Sequence, residues 1–179
     1  MDKVGTVLDI AQLGTDLATI TLDLMSDVER KIVIVLINLQ GAEWTDGTVY
    51  MQEGTFLEPL PYHIESESGV QLAAEKKAGA SATGVSGVFC YELGHKSFCI
   101  MFNVPYNGDN VWNVKIYNGR QVASETVYDE LHQEPIQSGT HIKQKVLGEI
   151  SKNKDIFIED CAMMEAGQSI LQVNLGTEE

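Results

Sequence analysis

Four aspartates recur at every seventh position near the start of the chain: Asp2, Asp9, Asp16 and Asp23. Gly5, Gln12, Thr19 and Ser26 interleave with them, and the resulting 3-4-3-4 spacing is one stripe of an α-helix, which Asp27 joins. Val4, Val7, Leu8, Ala11, Leu17, Ala18, Leu24 and Met25 fill most of the remaining circumference. The spacing predicts a helix of about 25 residues with a broad apolar face and a narrow acidic one. At roughly 1.5 Å per residue it would be about 37 Å long, enough to cross a hydrocarbon core of roughly 30 Å. Its aspartates bar it from spanning lipid alone, so such a helix needs water along one side. Residues 1–28 therefore read as one amphipathic segment that needs water along the stripe of Asp2, Asp9, Asp16 and Asp23. Gly5 and Gly14 weaken the helix early on, so before insertion only the stretch from about Thr15 to Ser26 is expected to be helical.

The chain has 179 residues, which suits one domain over 1–179 with a sizeable single core. No run of 18 apolar residues exists, so no conventional transmembrane helix is expected. The opening MDKVGTVLDI lacks the basic and apolar regions of a signal peptide, which leaves a secreted or a cytoplasmic chain open. The 12 basic and 26 acidic side chains give a net charge of -14. That balance argues against a nucleic-acid partner, which needs a positive footprint, and against strong attraction to anionic membranes.

The residues offer little for catalysis. His63, His95, His132 and His141 are scattered without metal-ligand spacing, and no dinucleotide fingerprint, phosphate loop or nucleophile elbow is present. No enzyme, cofactor or metal is expected. Three cysteines without a CxxC spacing give no zinc or redox motif. If Gly94 and His95 form a two-residue hairpin loop, Cys90 and Cys99 face each other at a non-hydrogen-bonded position, close enough for a disulfide. The reading preferred from sequence is two buried free thiols, because nothing else in the chain indicates an oxidising compartment.

After the charged break Glu29-Arg30-Lys31, the run from Ile32 to Ile37 is six apolar residues, five of them β-branched, which predicts a strand buried on both faces. Further strands are expected at Thr48–Gln52, Val70–Ala74, Val85–Leu93, Ser97–Val104, Val111–Tyr117, Ile142–Ile150, Asp155–Ile158 and Ile170–Leu175. Val85–Leu93 and Ser97–Val104 make the clearest hairpin, which Pro105 ends. Gln121–His132 breaks the strand rhythm: Val122, Thr126, Val127 and Leu131 share a helical face, and Pro135 follows. The fold class is mainly β, a sandwich of short strands with two helices on its outer faces, one of them in the N-terminal amphipathic segment.

The segments ATGVSGVFCYEL (82–93), FNVPY (102–106), WNVKIYNGRQ (112–121) and VYDEL (127–131) resemble the actinoporins, the pore-forming cytolysins of sea anemones. VERKI (28–32), Trp44-Thr45 and SILQVNL (169–175) add to a similarity that runs essentially end to end. The resemblance implies a mechanism. A soluble monomer or small oligomer docks through an aromatic-rich loop and a phosphocholine site, with sphingomyelin or phosphocholine lipids as partners. The N-terminal segment then detaches and inserts, and the helices of several protomers line a cation-favouring pore, which agrees with the acidic stripe.

The same resemblance assigns the lipid head-group site to Asn103, Pro105, Tyr106, Tyr128, Ser86 and Glu53, the membrane interface to Trp112 and Val111, and a basic position after the inserting segment to Arg30. It also marks departures. The loop Asn107–Val111 is shorter than the family's and lacks an aromatic; Val111 stands where the first of two paired tryptophans would be. His132 and Gln133 replace two tyrosines of a cluster that Tyr128 begins, and Asn103, Ser86 and Glu53 replace other site residues. A quaternary ammonium group needs aromatic faces, each worth roughly 0.5–2 kcal/mol, so the site reads as altered. A non-lytic lectin-like or lipid-binding module, with a glycan as ligand, is the alternative on the same fold. An intracellular protein that kept the fold without the activity is a further one.

Overall fold

A computed structural model describes residues 16–25, 28–152 and 154–178. Asp2, Asp9, Asp27 and most of the segment 1–28 lie outside the described residues. Within them, helix α1 covers residues 16–24. It is followed by strands β1 (Lys31–Asn38), β2 (Thr45–Glu53), β3 (Thr55–Phe56), β4 (Ser68–Glu75), β5 (Val85–Leu93), β6 (Lys96–Val104) and β7 (Val111–Asn118). Helix α2 (Glu125–Gln133) and strands β8 (Ile136–Gln137), β9 (Ile142–Ser151), β10 (Lys154–Met163) and β11 (Gln168–Glu178) complete the order.

Two sheets form, in the orders β3-β4-β1-β11-β10-β9 and β2-β5-β6-β7-β8. Alternation along each strand divides its side chains between two environments. Ile32, Ile34 and Leu36 of β1 and Leu171, Val173 and Leu175 of β11 point into the space between the sheets. There they meet Phe89 and Tyr91 of β5, Phe98, Ile100 and Phe102 of β6, and Trp112 and Val114 of β7. The other residues of β1, Val33, Val35 and Ile37, face outward onto Ala18 and Leu22 of α1. Val88, Cys90, Cys99 and Met101 likewise face outward onto Val127, Tyr128 and Leu131 of α2. Each helix thus covers the outer face of one sheet, as the sequence predicts. All eight residues of β1 are buried because it has the core on one side and α1 on the other.

Three differences from expectation have identifiable causes. First, α2 starts at Glu125 rather than Gln121, because Ser124 is its N-cap and its Oγ accepts from the Val127 amide at 3.3 Å. The preceding residues are pinned elsewhere: the Gln121 amide donates to Ser97 Oγ and the Ala123 amide to Thr48 Oγ1, each at 2.9 Å. Second, β10 runs on to Met163 through a register shift between Ile158 and Asp160. That bulge swaps the inward set from Ile156 and Ile158 to Cys161 and Met163 and so hides the alternation. Third, Cys90 and Cys99 form a disulfide instead of two free thiols. They are directly paired across β5 and β6, with Cα atoms 4.1 Å apart and both side chains fully buried. Cys161 remains a buried free thiol.

Candidate functional site

Strand register brings four of the expected site residues into one row. Glu53 pairs with Ser86, Ser86 with Asn103, and Asn103 with Val111. Directly paired residues of antiparallel strands share a face, here the face that α2 covers. Glu53 is exposed at the end of β2, and its Oε2 accepts from the Gly84 amide at 3.0 Å. Gly84 has to be glycine in this packing, since a Cβ there would lie 2.4 Å from the Val104 carbonyl oxygen. Ser86 is buried at 2% exposure.

Helix α2 supplies the next layer. Tyr128 is only 6% exposed, and the exposed imidazole of His132 lies over it, with ring centroids 5.6 Å apart and planes 17° from parallel. His132 Nε2 is 3.2 Å from Asn103 Nδ2, which ties the helix to the row. Burial pushes the Tyr128 phenol above its ordinary range; Ser86 hydrogen-bonding opposes this, while the Glu53 and Asp129 carboxylates add to it. Of the stacked pair Tyr128 and His132, the imidazole is the ring that faces outward, with the Glu53 and Asp129 carboxylates near the pair.

The row leads along β6 into the loop that Pro105 opens. Arg30, just before β1, holds that loop: Nε donates to the Pro105 carbonyl and Nη2 to the Tyr106 carbonyl, each at 2.8 Å. The guanidinium lies 5.9 Å from the centre of the half-exposed Tyr106 ring. Gly167 makes room for it, because a Cβ there would come within 2.6 Å of Nη1. An open groove lies between Arg30, Tyr106, Asn107 and Gly167.

Trp112 is not at this surface. The pairing that turns Val111 toward α2 turns its neighbour inward, and Trp112 is fully buried between the sheets. In this form it presents nothing to a membrane, and Val111 is buried under α2 as well. On α1, Asp16 and Asp23 are exposed on the solvent side. Ala18 and Leu22 are buried, but Leu17, Ile20 and Leu24 are exposed, Leu24 at 82%. The helix thus carries more apolar surface than the sandwich covers.

Two residues escaped the sequence reading. His132 stood there only as a missing tyrosine, and nothing local in the sequence signals its contact with Asn103. Lys31 read as part of a charged break, yet it is buried in β1, and its Nζ donates to the Leu22 carbonyl at 2.7 Å. Its place two residues before Val33, on the same face of an apolar strand, is the signal that could have found it. Among the described residues, no cluster of His, Cys, Asp or Glu could hold a metal ion, and no helix is long and apolar enough to cross a membrane.

Residues 2–176 match the family described as sea anemone cytotoxic protein. Nigrelysin of Anthopleura nigrescens is 32% identical over an alignment spanning 98% of this chain and 82% of its own. DELTA-actitoxin-Afr1c of Actinia fragacea is 28% identical over 97% of each chain. Among solved structures, the lipid binding protein Nakanori has the same fold, with a TM-score of 0.68 at 15% identity over 96% of this chain and 84% of that one.

Proposed function

Since this chain belongs to the sea anemone cytotoxic protein family, the actinoporins, whose members are pore-forming toxins and not enzymes, we propose that it docks on target membranes, oligomerises there and inserts its N-terminal segment. The inserted helices line a cation-selective pore with the ladder Asp2, Asp9, Asp16 and Asp23. In this reading residues 1–179 are one domain and residues 1–28 are the segment within it that inserts.

The observation that carries the proposal is the two-sided α1. Its apolar residues divide between the sandwich, which takes Ala18 and Leu22, and solvent, which meets Leu17, Ile20 and Leu24, while Asp16 and Asp23 keep a separate acidic stripe. A purely structural surface helix needs apolar residues only on its buried face. A helix that must later face lipid needs more, and an acidic stripe suits a wet lumen.

We assign lipid head-group binding to Glu53, Ser86, Asn103, Pro105, Tyr106 and Tyr128, with sphingomyelin or another phosphocholine lipid as ligand. Dye release from vesicles with and without sphingomyelin, at micromolar protein, tests the whole reading. Release from at least one mixture is expected, and intact vesicles in every mixture would overturn it. The covering of Tyr128 by His132 and the burial of Trp112 favour a second reading: a non-lytic lipid-binding or glycan-binding module, which would bind vesicles without releasing dye.

A further inference from the structure

Lys31 is a charged residue in an apolar place. It opens β1 at 4% exposure, and alternation puts it on the same face as Val33, Val35 and Ile37, beneath α1. Its ammonium donates to the carbonyl of Leu22, in the last turn of that helix. The last carbonyls of a helix have no partner within it, and the helix dipole makes this end negative. A cation seated there satisfies an orphan acceptor and complements the dipole. A second tie to the strands is neutral, from Thr21 Oγ1 to Gln71 Oε1 at 2.9 Å.

We propose that Lys31 is the positioning residue for insertion, a latch whose ammonium holds α1 on the sandwich by the Leu22 carbonyl and so sets how fast the segment leaves. The latch adjoins the lipid site. Arg30, one residue earlier, donates in the other direction to the Pro105 and Tyr106 carbonyls, so the junction between segment and sandwich is held from both sides. The consequence for pores rests on the pore-forming reading above, but the latch itself can be measured without membranes.

The experiment compares Lys31→Met and Lys31→Arg with the parent protein. Met keeps the apolar stem and removes the charged donor; Arg keeps a cation at the helix end. Amide hydrogen exchange in solution should quicken about tenfold across residues 18–25 in Lys31→Met, the loss expected for one hydrogen bond to a charged group. Exchange in β5 and β6 should stay unchanged, and Lys31→Arg should remain within about twofold of the parent throughout. On vesicles, at matched bound protein, Lys31→Met should shorten the lag before dye release. Unchanged α1 exchange in Lys31→Met would overturn the latch, as would equal acceleration by Arg, which would point to packing rather than charge. Faster exchange with no dye release from any protein would uphold the latch and overturn the pore-forming reading instead.

Discussion

Cys161 lies between the sheets at 1% exposure, and burial, with the Asp160 carboxylate nearby, holds its thiol well above the ordinary range. Cys90 and Cys99 are paired beneath α2. Chemical reactivity follows directly from these placements. The folded protein should show no thiol reactive toward Ellman's reagent. After unfolding in guanidinium without reductant it should show one thiol per chain, and after reduction all three. Two or more thiols in the unreduced, unfolded protein would mean that the hairpin carries no disulfide. The preference for free thiols came from compartment reasoning, whereas the pairing is a local matter of a two-residue turn and the ladder position it dictates. Trp112 and Val111 show the same limit. They are adjacent, so one must face the core and the other α2, and only the register with β6 decides which.

The two helices differ in what they need from the sandwich. α2 is anchored at its start by Ser124 and along its length by Val127, Tyr128 and Leu131. α1 buries Ala18 and Leu22 and leaves Leu17, Ile20 and Leu24 outside. If the acidic stripe of α1 lines a lumen, Asp16→Asn should lower the cation preference of single channels, read as a reversal potential closer to zero under a salt gradient. An unchanged reversal potential would count against a lumen-facing ladder. Elements with strong periodicity were legible in the sequence: β1 from its β-branched run, the β5–β6 hairpin from its turn, and α2 from its apolar spacing. The start of α2 and the extent of β10 were not, because one depends on hydrogen bonds to Thr48 and Ser97 and the other on a bulge. The site was legible only through family resemblance. Its row joins Glu53, Ser86 and Asn103 from three strands, and no local pattern reports pairing across β2 and β5, which is itself interrupted by register shifts.

Over the whole molecule, the core between the sheets draws on strands from β1 onward and on nothing from α1. A chain beginning at Glu29 should therefore still unfold cooperatively and still bind any vesicle that the parent binds, but release no dye. Uncovering Val33, Val35, Ile37 and Ile170 should cost about 3 kcal/mol, which corresponds to a thermal midpoint roughly 6–12 °C lower. Calorimetry of the shortened chain checks the first point and vesicle sedimentation the second. Loss of the cooperative transition would mean that α1 is part of the folding unit and not cargo upon it.

The parallel pairing of β1 with β11 has a topological consequence. The sheet is sealed by the last described strand lying against the first, so the seam closes at residue 31. Helix α1 rests on the outer face of that sheet, against Val33, Val35, Ile37 and Ile170. Residues 16–24 can be drawn off like a strap laid over a closed box: the motion is one of peeling and leaves every strand pairing intact.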